Sequence, residues 1–240
     1  MNTAFLKLAP LACASVLLLS ALPGEAQEKA QAAKSAQEFQ QRLLEGRAIE
    51  AVIWGMPLVS QDAQHQASLR DAGAKDNDIV FWSRPSGWKN QTTTPNASVR
   101  YVFINFNTQR EGPVVLEVPA ATGAGLFGTV VDAWQVPLID LGPSGEDQGK
   151  GGKFLLLPPD FKGEVPPGYF PVRSQTYNGF AGFRAIAKTE GADDVAKALA
   201  LIKQVRIYPL LKAASPPKQR YVAFMARFTT VSCASTRAFL

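Results

Sequence analysis

The chain has 240 residues, of which 46% are hydrophobic and 19% are charged, and its 25 basic and 20 acidic residues give a net charge of +5. The basic residues are dispersed, with no run longer than a pair, so the charge favours general solubility over a nucleic-acid-binding surface. We therefore exclude nucleic acid as a partner.

The first 26 residues predict a secretory signal peptide. A short segment carrying Lys7 is followed by an apolar run over residues 8–22, and the small residues Gly24 and Ala26 predict cleavage before Gln27. The apolar run is short for a membrane span, so we expect no stable membrane insertion, with a tethered signal anchor as the alternative. The sequence thus predicts an exported protein.

Cleavage would also determine how many cysteines the mature chain keeps. It removes Cys13 and leaves Cys233, so the mature chain has no internal disulfide. Stability must then come from burial, and roughly 210 residues are enough for one sizeable core, or for one large and one small.

The N-terminal part predicts helices. Residues 27–34 are polar and rich in alanine and predict a loose leader, and Ser35 with Glu38 matches a capping box that opens a helix. We expect that helix to end at Pro57 and a second, short helix to run to Ala72. The second half of the first helix is apolar nearly all round and predicted to be buried, with Ile49, Val52, Ile53 and Trp54.

From residue 77 onward the pattern predicts strands bounded by Gly, Pro or Asn. One later helix is predicted from Asp193, because carboxylates at its start suit the helix dipole and the apolar spacing after them gives one buried stripe. The fold class is therefore mainly β, an antiparallel β-sandwich with an N-terminal helical section and one helix near the C-terminus. The predicted strands are residues 79–83, 99–106, 113–118, 127–134, 153–157, 169–173 and 205–208.

Alternation within the third strand predicts its orientation. Val114, Leu116 and Val118 are expected to face the interior of the sandwich, because side chains two apart share one face of a strand. Glu117 is expected on the opposite face and should tolerate alanine.

Few residues carry recognisable chemistry. His65 is the only histidine; it could act as a base with Asp62 one turn away, although a polar helical setting is more typical of a surface histidine. One histidine and one distant cysteine predict no metal site, and no cofactor motif is present. The catalytic residues, if there are any, are unassigned.

Two motifs fall short of known sites. Residues 142–146 lack the second glycine of a nucleophile elbow, and residues 145–151 lack the spacing of a phosphate loop, so the latter predict a flexible hairpin loop. Trp88, in a turn rich in Pro and Gly, could stack against a ligand. Asp132 and Asp140 could meet near a turn, as a glycosidase pair would, or could simply cap it.

Several motifs follow one another in a fixed order along the chain: Pro95-Asn96 with Tyr101, residues 112–119, residues 132–134, the glycine-rich loop before residues 154–159, and Phe183-Arg184. In this order they resemble one bacterial family, domain of unknown function 1254, over most of the mature chain. The resemblance implies a β-sandwich with an N-terminal helical section, exported from Gram-negative cells and without an established activity. Family members usually continue into a second domain, of unknown function 1214 and jelly-roll type.

Two departures from the family pattern weaken any transfer of an enzyme site. The acid expected after Asn96 is absent, since Ala97-Ser98 follow, and the tract after Trp134 differs from the usual one. We therefore expect a periplasmic or secreted, non-catalytic binding or interaction module for a small molecule, glycan or protein. The alternative is a cofactor-free hydrolase acting on an envelope or imported substrate. The candidate binding residues are Asn96, Tyr101, Asp132, Arg184 and Trp88.

The expected domain organisation has four parts. Residues 1–26 form the signal peptide, 27–48 the leader and start of the helix, 49–210 the sandwich, and 211–240 a linker and atypical tail. The tail lacks useful periodicity and the second domain is absent, so we also expect an uncovered apolar face and possible self-association.

Overall fold

The computed structural model describes residues 23–86, 96 and 98–224. It divides into two compact units, residues 1–55 and 56–240. The predicted signal segment before residue 23, Trp88 and the chain after residue 224 lie outside the described residues. The expected domain boundaries at residues 26, 48 and 210 remain predictions.

Helix α1 (Pro23–Asp71) is one continuous helix, which corrects the expected leader, cap and break. Residues 27–34 are helical, and Ser35 lies inside the helix, where its hydroxyl donates to the carbonyl of Ala32. Pro57 does not end the helix. A proline removes one backbone hydrogen bond, and favourable residues on both sides can carry the helix past that loss.

The apolar second half of the first unit is exposed rather than buried. Ile49, Val52, Ile53 and Trp54 are 61–70% exposed. The part of this unit that the structure describes, residues 23–55, is a single helix, and a single helix offers no second layer against which these side chains could be buried.

The second unit is a sandwich of two sheets, so the predicted fold class is confirmed. One sheet has six strands in the order β10-β1-β2-β8-β4-β5, and the other has four in the order β7-β6-β3-β9. Most neighbours are antiparallel, but β1–β10 and β6–β7 are parallel, so both sheets are mixed. The strands are β1 (Ile79–Trp82), β2 (Arg100–Asn107), β3 (Val114–Val118), β4 (Gly125–Asp132), β5 (Pro137–Leu141), β6 (Gly152–Leu157), β7 (Phe170–Arg173), β8 (Asn178–Ile186), β9 (Arg206–Pro209) and β10 (Tyr221–Phe224).

Two further helices complete the second unit. The short α2 (Thr108–Glu111) follows β2, and α3 (Ala192–Ile202) confirms the predicted late helix with Asp193 and Asp194 in its first turn. Ala198, Leu201 and Ile202 of α3 belong to the main core.

The main core lies between the inner faces of the two sheets. Val114, Leu116 and Val118 all belong to it, as the alternation predicts, and Leu116 is fully buried. The outer face of the four-stranded sheet is covered by its own chain, because Leu155, Leu157 and neighbouring side chains pack under residues of the following loop. Part of the outer face of the six-stranded sheet is covered by the end of α1, where Ala67 packs on Trp82 and Phe224.

Three strands are not predicted from the sequence. Strand β8 pairs with both β2 and β4 but carries Gly179, Ala181 and Gly182, which have low strand propensity. A Cβ at Gly179 would lie 2.2 Å from the Phe106 ring, so close packing explains the glycine. Strands β5 and β10 fall in segments interpreted as a divergent tract and a linker.

The glycine-rich loop is fixed rather than flexible. The carboxylate of Asp147 accepts hydrogen bonds from the backbone N–H groups of Gly142, at 2.6 Å, and of Gly151, at 3.0 Å. Asp147 is buried, so these bonds are shielded from water. The loop between β5 and β6 is therefore a closed corner of the sandwich.

Candidate functional site

A cleft of the second unit lies beside the end of α1 and has a volume of about 470 Å³. Residues 58–65 of α1, about two turns, form one wall, and the ends of β2, β4 and β8 form the other. Its lining is apolar with a few polar groups, which is typical of small-molecule sites. The lining residues are Leu58, Val59, Gln61, Asp62, His65, Asn105, Phe106, Ala133, Asn178 and Gly179.

Two amides in this cleft are buried but unused. Asn105 is 6% exposed and Gln61 8% exposed. Within the described part of the chain, neither side chain forms a hydrogen bond with protein, and neither has an unpartnered polar atom sealed from solvent. Buried amides in folded proteins are usually hydrogen-bonded to protein or water, so two without protein partners in one cleft are groups that a ligand can bind in place of water.

His65 is held by an ion-pair network on the same wall. Its Nε2 lies 2.8 Å from Oδ1 of Asp76, and the other oxygen of Asp76 accepts from the Arg110 guanidinium. Asp62, the partner expected from the sequence, is instead exposed beside Gln66. Asp76 therefore orients the imidazole.

Burial lowers the pKa of His65 below its ordinary value of 6.5, the Asp62 charge raises it, and the Arg110 charge lowers it. The Asp76 carboxylate favours the cationic ring, but it is shared with Arg110, so we expect burial to prevail. Near neutral pH the ring is then neutral, with its Nε2–H donated to Asp76. That leaves Nδ1 as the hydrogen-bond acceptor of the ring.

The cleft can thus accept and donate hydrogen bonds beside an apolar wall. Its described lining includes one carboxylate and no serine, threonine, tyrosine or cysteine. Among the described residues, no group of three His, Cys, Asp or Glu side chains is arranged to hold a metal. No helix in the described chain has both the length and the apolar character for a membrane span.

The predicted binding residues only partly converge. The backbone N–H of Asn96 donates to the Tyr101 hydroxyl at 2.8 Å, and Tyr101 faces Arg184 across β2 and β8. Asp132 is elsewhere, buried, and accepts from the backbone N–H groups of Trp134 and Val136, so its role is to hold a turn. Trp88 lies outside the described residues.

Sequence reasoning singled out His65 and Asp62 of the cleft lining but missed the two amides, Gln61 and Asn105. Gln61 and His65 are four apart and so share one face of a helix. Asn105 shares a strand face with Tyr101 and Phe103, but nothing in the pattern indicated that α1 covers that face. Asp140 binds the Thr129 hydroxyl and does not form a pair with Asp132.

The chain resembles solved structures in fold. The VPA0106 protein from Vibrio parahaemolyticus is 19% identical, with a TM-score of 0.53, and the match covers 75% of this chain and 42% of that one. A putative uncharacterized protein from Burkholderia cenocepacia is 13% identical, with a TM-score of 0.36, and the match covers 68% and 43%. This chain therefore spans less than half the length of either protein, and the first likeness shows the fold alone.

Curated proteins give no significant match. The profile of one family matches residues 77–209, which are more than half of the chain and run from just before β1 to the end of β9. This is the family expected from the motifs. The chain belongs to the family described as protein of unknown function DUF1254.

Proposed function

We propose that this protein is a periplasmic binding module that takes a small amphiphilic molecule into the cleft beside α1. The observation that carries this proposal is the pair of buried amides, Asn105 and Gln61, that face the cleft without partners. A site built to hydrogen-bond its ligand keeps such groups open until the ligand arrives.

The chemistry of the lining narrows the ligand class. Leu58, Val59 and Phe106 offer an apolar wall, and the amides and neutral His65 offer donors and acceptors without a fixed positive charge. A neutral molecule with an apolar body and one amide or hydroxyl group suits this wall. A volume of about 470 Å³ admits a small molecule rather than a protein segment.

Export is supported by the sequence of the first 26 residues, with its short basic start, apolar run and small residues before the cleavage point. Intact-mass measurement of protein from a periplasmic extract should give a chain that begins at Gln27. Finding only the uncleaved mass in the membrane fraction would contradict this. Self-association, expected from the sequence, remains a prediction that sedimentation would test.

A cofactor-free hydrolase is the second candidate, and one observation favours it. The His65–Asp76 pair resembles a base with its orienting carboxylate, and His65 lines the cleft. Such an enzyme would need His65 to activate water directly, because the described lining lacks a side-chain hydroxyl or thiol nucleophile. Replacing His65 by Gln would then abolish turnover, whereas a binding module would keep most of its affinity.

The binding proposal can be tested with acetanilide, which carries one amide and one apolar ring. We expect NMR shift changes at Asn105, Gln61 and Phe106 on titration, and at least tenfold weaker binding by Asn105→Leu. N-methylacetanilide lacks the N–H donor and should also bind more weakly.

A matched control keeps the result specific. Asn178 lines the same cleft, but its side chain already accepts a hydrogen bond from Asn107, so Asn178→Asp should weaken acetanilide binding less than Asn105→Leu. Absence of shifts in the cleft, or equal affinity for Asn105→Leu and the parent, would show that the amides are not a ligand site.

A further inference from the structure

A second hollow, which shares no lining residue with the cleft, lies on the outer face of the six-stranded sheet. Gly182 of β8 is directly opposite Phe103 of β2 and Thr129 of β4. The Phe180 ring packs against Gly182, 2.8 Å from where a Cβ would lie, and the hollow lies beside it between larger neighbours. The hollow has a volume of about 250 Å³ and is lined by Tyr101, Phe103, Phe127, Gly128, Thr129, Gly182, Phe183 and Arg184.

Arg184 closes one end of this hollow. Its guanidinium carbon lies 5.8 Å from the centre of the Tyr101 ring and 6.0 Å from that of Phe127, so the cation is stacked between two aromatic side chains. Stacking restrains a long side chain and leaves the N–H edge of the guanidinium free to bind.

Arg184 also lacks an acidic partner. Among the described residues, no carboxylate lies within ion-pair distance of it. Several other arginines of the sandwich are paired, for example Arg100 with Glu190, Arg206 with Glu117 and Arg220 with Asp78. A restrained, exposed and unpaired guanidinium beside an apolar hollow is the arrangement that binds a carboxylate through two parallel hydrogen bonds.

We propose that this hollow binds a small aromatic carboxylate, with the ring between Phe103 and Phe127 and the carboxylate on the Arg184 guanidinium. The size fits one ring, because a protein cavity of about 150 Å³ is enough for benzene. A neighbouring hollow of about 400 Å³ shares Phe127 and Arg184 and carries both Lys188 and Glu190, and the Glu190 carboxylate is paired with Arg100.

The lining favours an aromatic acid over a sugar. Of its two hydroxyls, that of Thr129 donates to Asp140, and that of Tyr101 accepts from the Asn96 backbone. A sugar ring needs several hydrogen-bond partners for its hydroxyl groups, whereas an aromatic ring needs apolar and edge-to-face contacts, which Phe103 and Phe127 offer.

Benzoate is the probe for this proposal. We expect benzoate to shift the NMR signals of the Arg184 Nε–H and of the Tyr101 and Phe127 rings. Benzamide, which has the same shape without the charge, should bind at least tenfold more weakly. Arg184→Gln should weaken benzoate binding at least tenfold with its melting temperature unchanged.

Arg173→Gln is the matched control, because Arg173 is an exposed arginine of the other sheet without an ion pair among the described residues. It should bind benzoate as the parent does. The proposal is overturned if benzoate and benzamide bind alike, if Arg184→Gln binds benzoate as the parent does, or if the shifts occur only in the cleft beside α1.

Discussion

The outer faces of the two sheets differ in how far other parts of the chain cover them. On the four-stranded sheet, Val115, Leu155, Leu157 and Tyr208 are buried under the chain's own loop, and the one carboxylate there, Glu117, is paired with Lys153 and Arg206. On the six-stranded sheet, buried amides, a stacked arginine and partly exposed aromatic rings remain open. The open face is therefore the one on which we propose ligand binding.

Truncation in the core between the two sheets should give the largest loss of stability, with which losses on the two outer faces can be compared. Leu116→Ala should lower the free energy of unfolding by about 2–5 kcal/mol, because Leu116 is fully buried in the main core and truncation leaves a cavity. Urea denaturation of the purified protein measures it. A midpoint equal to that of the parent would contradict the assigned interior.

The covered and open faces should differ in sensitivity to truncation. Leu155→Ala, on the covered face, should cost about 2–5 kcal/mol. Phe127→Ala, on the open face, should cost only roughly 1–2 kcal/mol, because its side chain is 36% exposed. Equal losses of unfolding free energy for the two variants, measured in parallel urea titrations, would contradict the difference between the covered and the open face.

The charged group of the covered face should also matter for stability. Glu117 is largely buried, holds two ion pairs and hydrogen-bonds Tyr208, whose pKa is raised by burial and by that carboxylate. Glu117→Ala should therefore lower stability by about 1 kcal/mol, a larger loss than strand alternation alone leads us to expect. Arg184→Gln on the open face should leave the melting temperature unchanged.

The pH dependence of stability should trace to the open face. The pKa of His65 is lower in the folded chain than in the unfolded chain, so below pH 6.5 the unfolded chain binds more protons. The stability that is present above pH 6.5 is therefore lost as the pH falls through the pKa of the folded state. The loss should be less than about 1 kcal/mol, since His65 is only half-buried. His65→Gln should abolish it between pH 7 and 5, as followed by thermal melts, and a slope that persists would assign it to other groups.

Asn105→Leu has the smallest expected effect on stability and therefore separates a role in binding from a role in folding most clearly. Asn105→Leu removes an amide that folding leaves unpaired, so the free energy of unfolding should stay within about 1 kcal/mol of the parent, with any change upward. The same variant should lose acetanilide binding. A marked loss of stability would show that Asn105 serves the fold.

Much of the fold could be predicted because its strands carry β-branched and aromatic runs, as in Val114–Val118. Strand β8 could not, since Gly179 and Gly182 make room for the Phe106 and Phe180 rings, and neither glycine favours a strand by itself. The predicted helix end at Pro57 is wrong, because the one backbone hydrogen bond lost at the proline is outweighed by the helical hydrogen bonds on both sides of it.

The site was predicted only in part. Tyr101, Arg184 and Asn96 lie close together in the structure. Asn105 lines the cleft only because α1 packs over β2, and this tertiary contact is not encoded by any local sequence pattern. The same limit applies to Asp76, which orients His65 from eleven residues along the chain.

The parallel pairing of β10 with β1 bears on the order of folding. Gln219, just before β10, bonds the carbonyl of Asn77, just before β1, although 142 residues separate them. A contact between such distant segments forms late, because the loop between them must first close. The six-stranded sheet therefore stays incomplete until residue 224 has left the ribosome, since β10 is its edge strand.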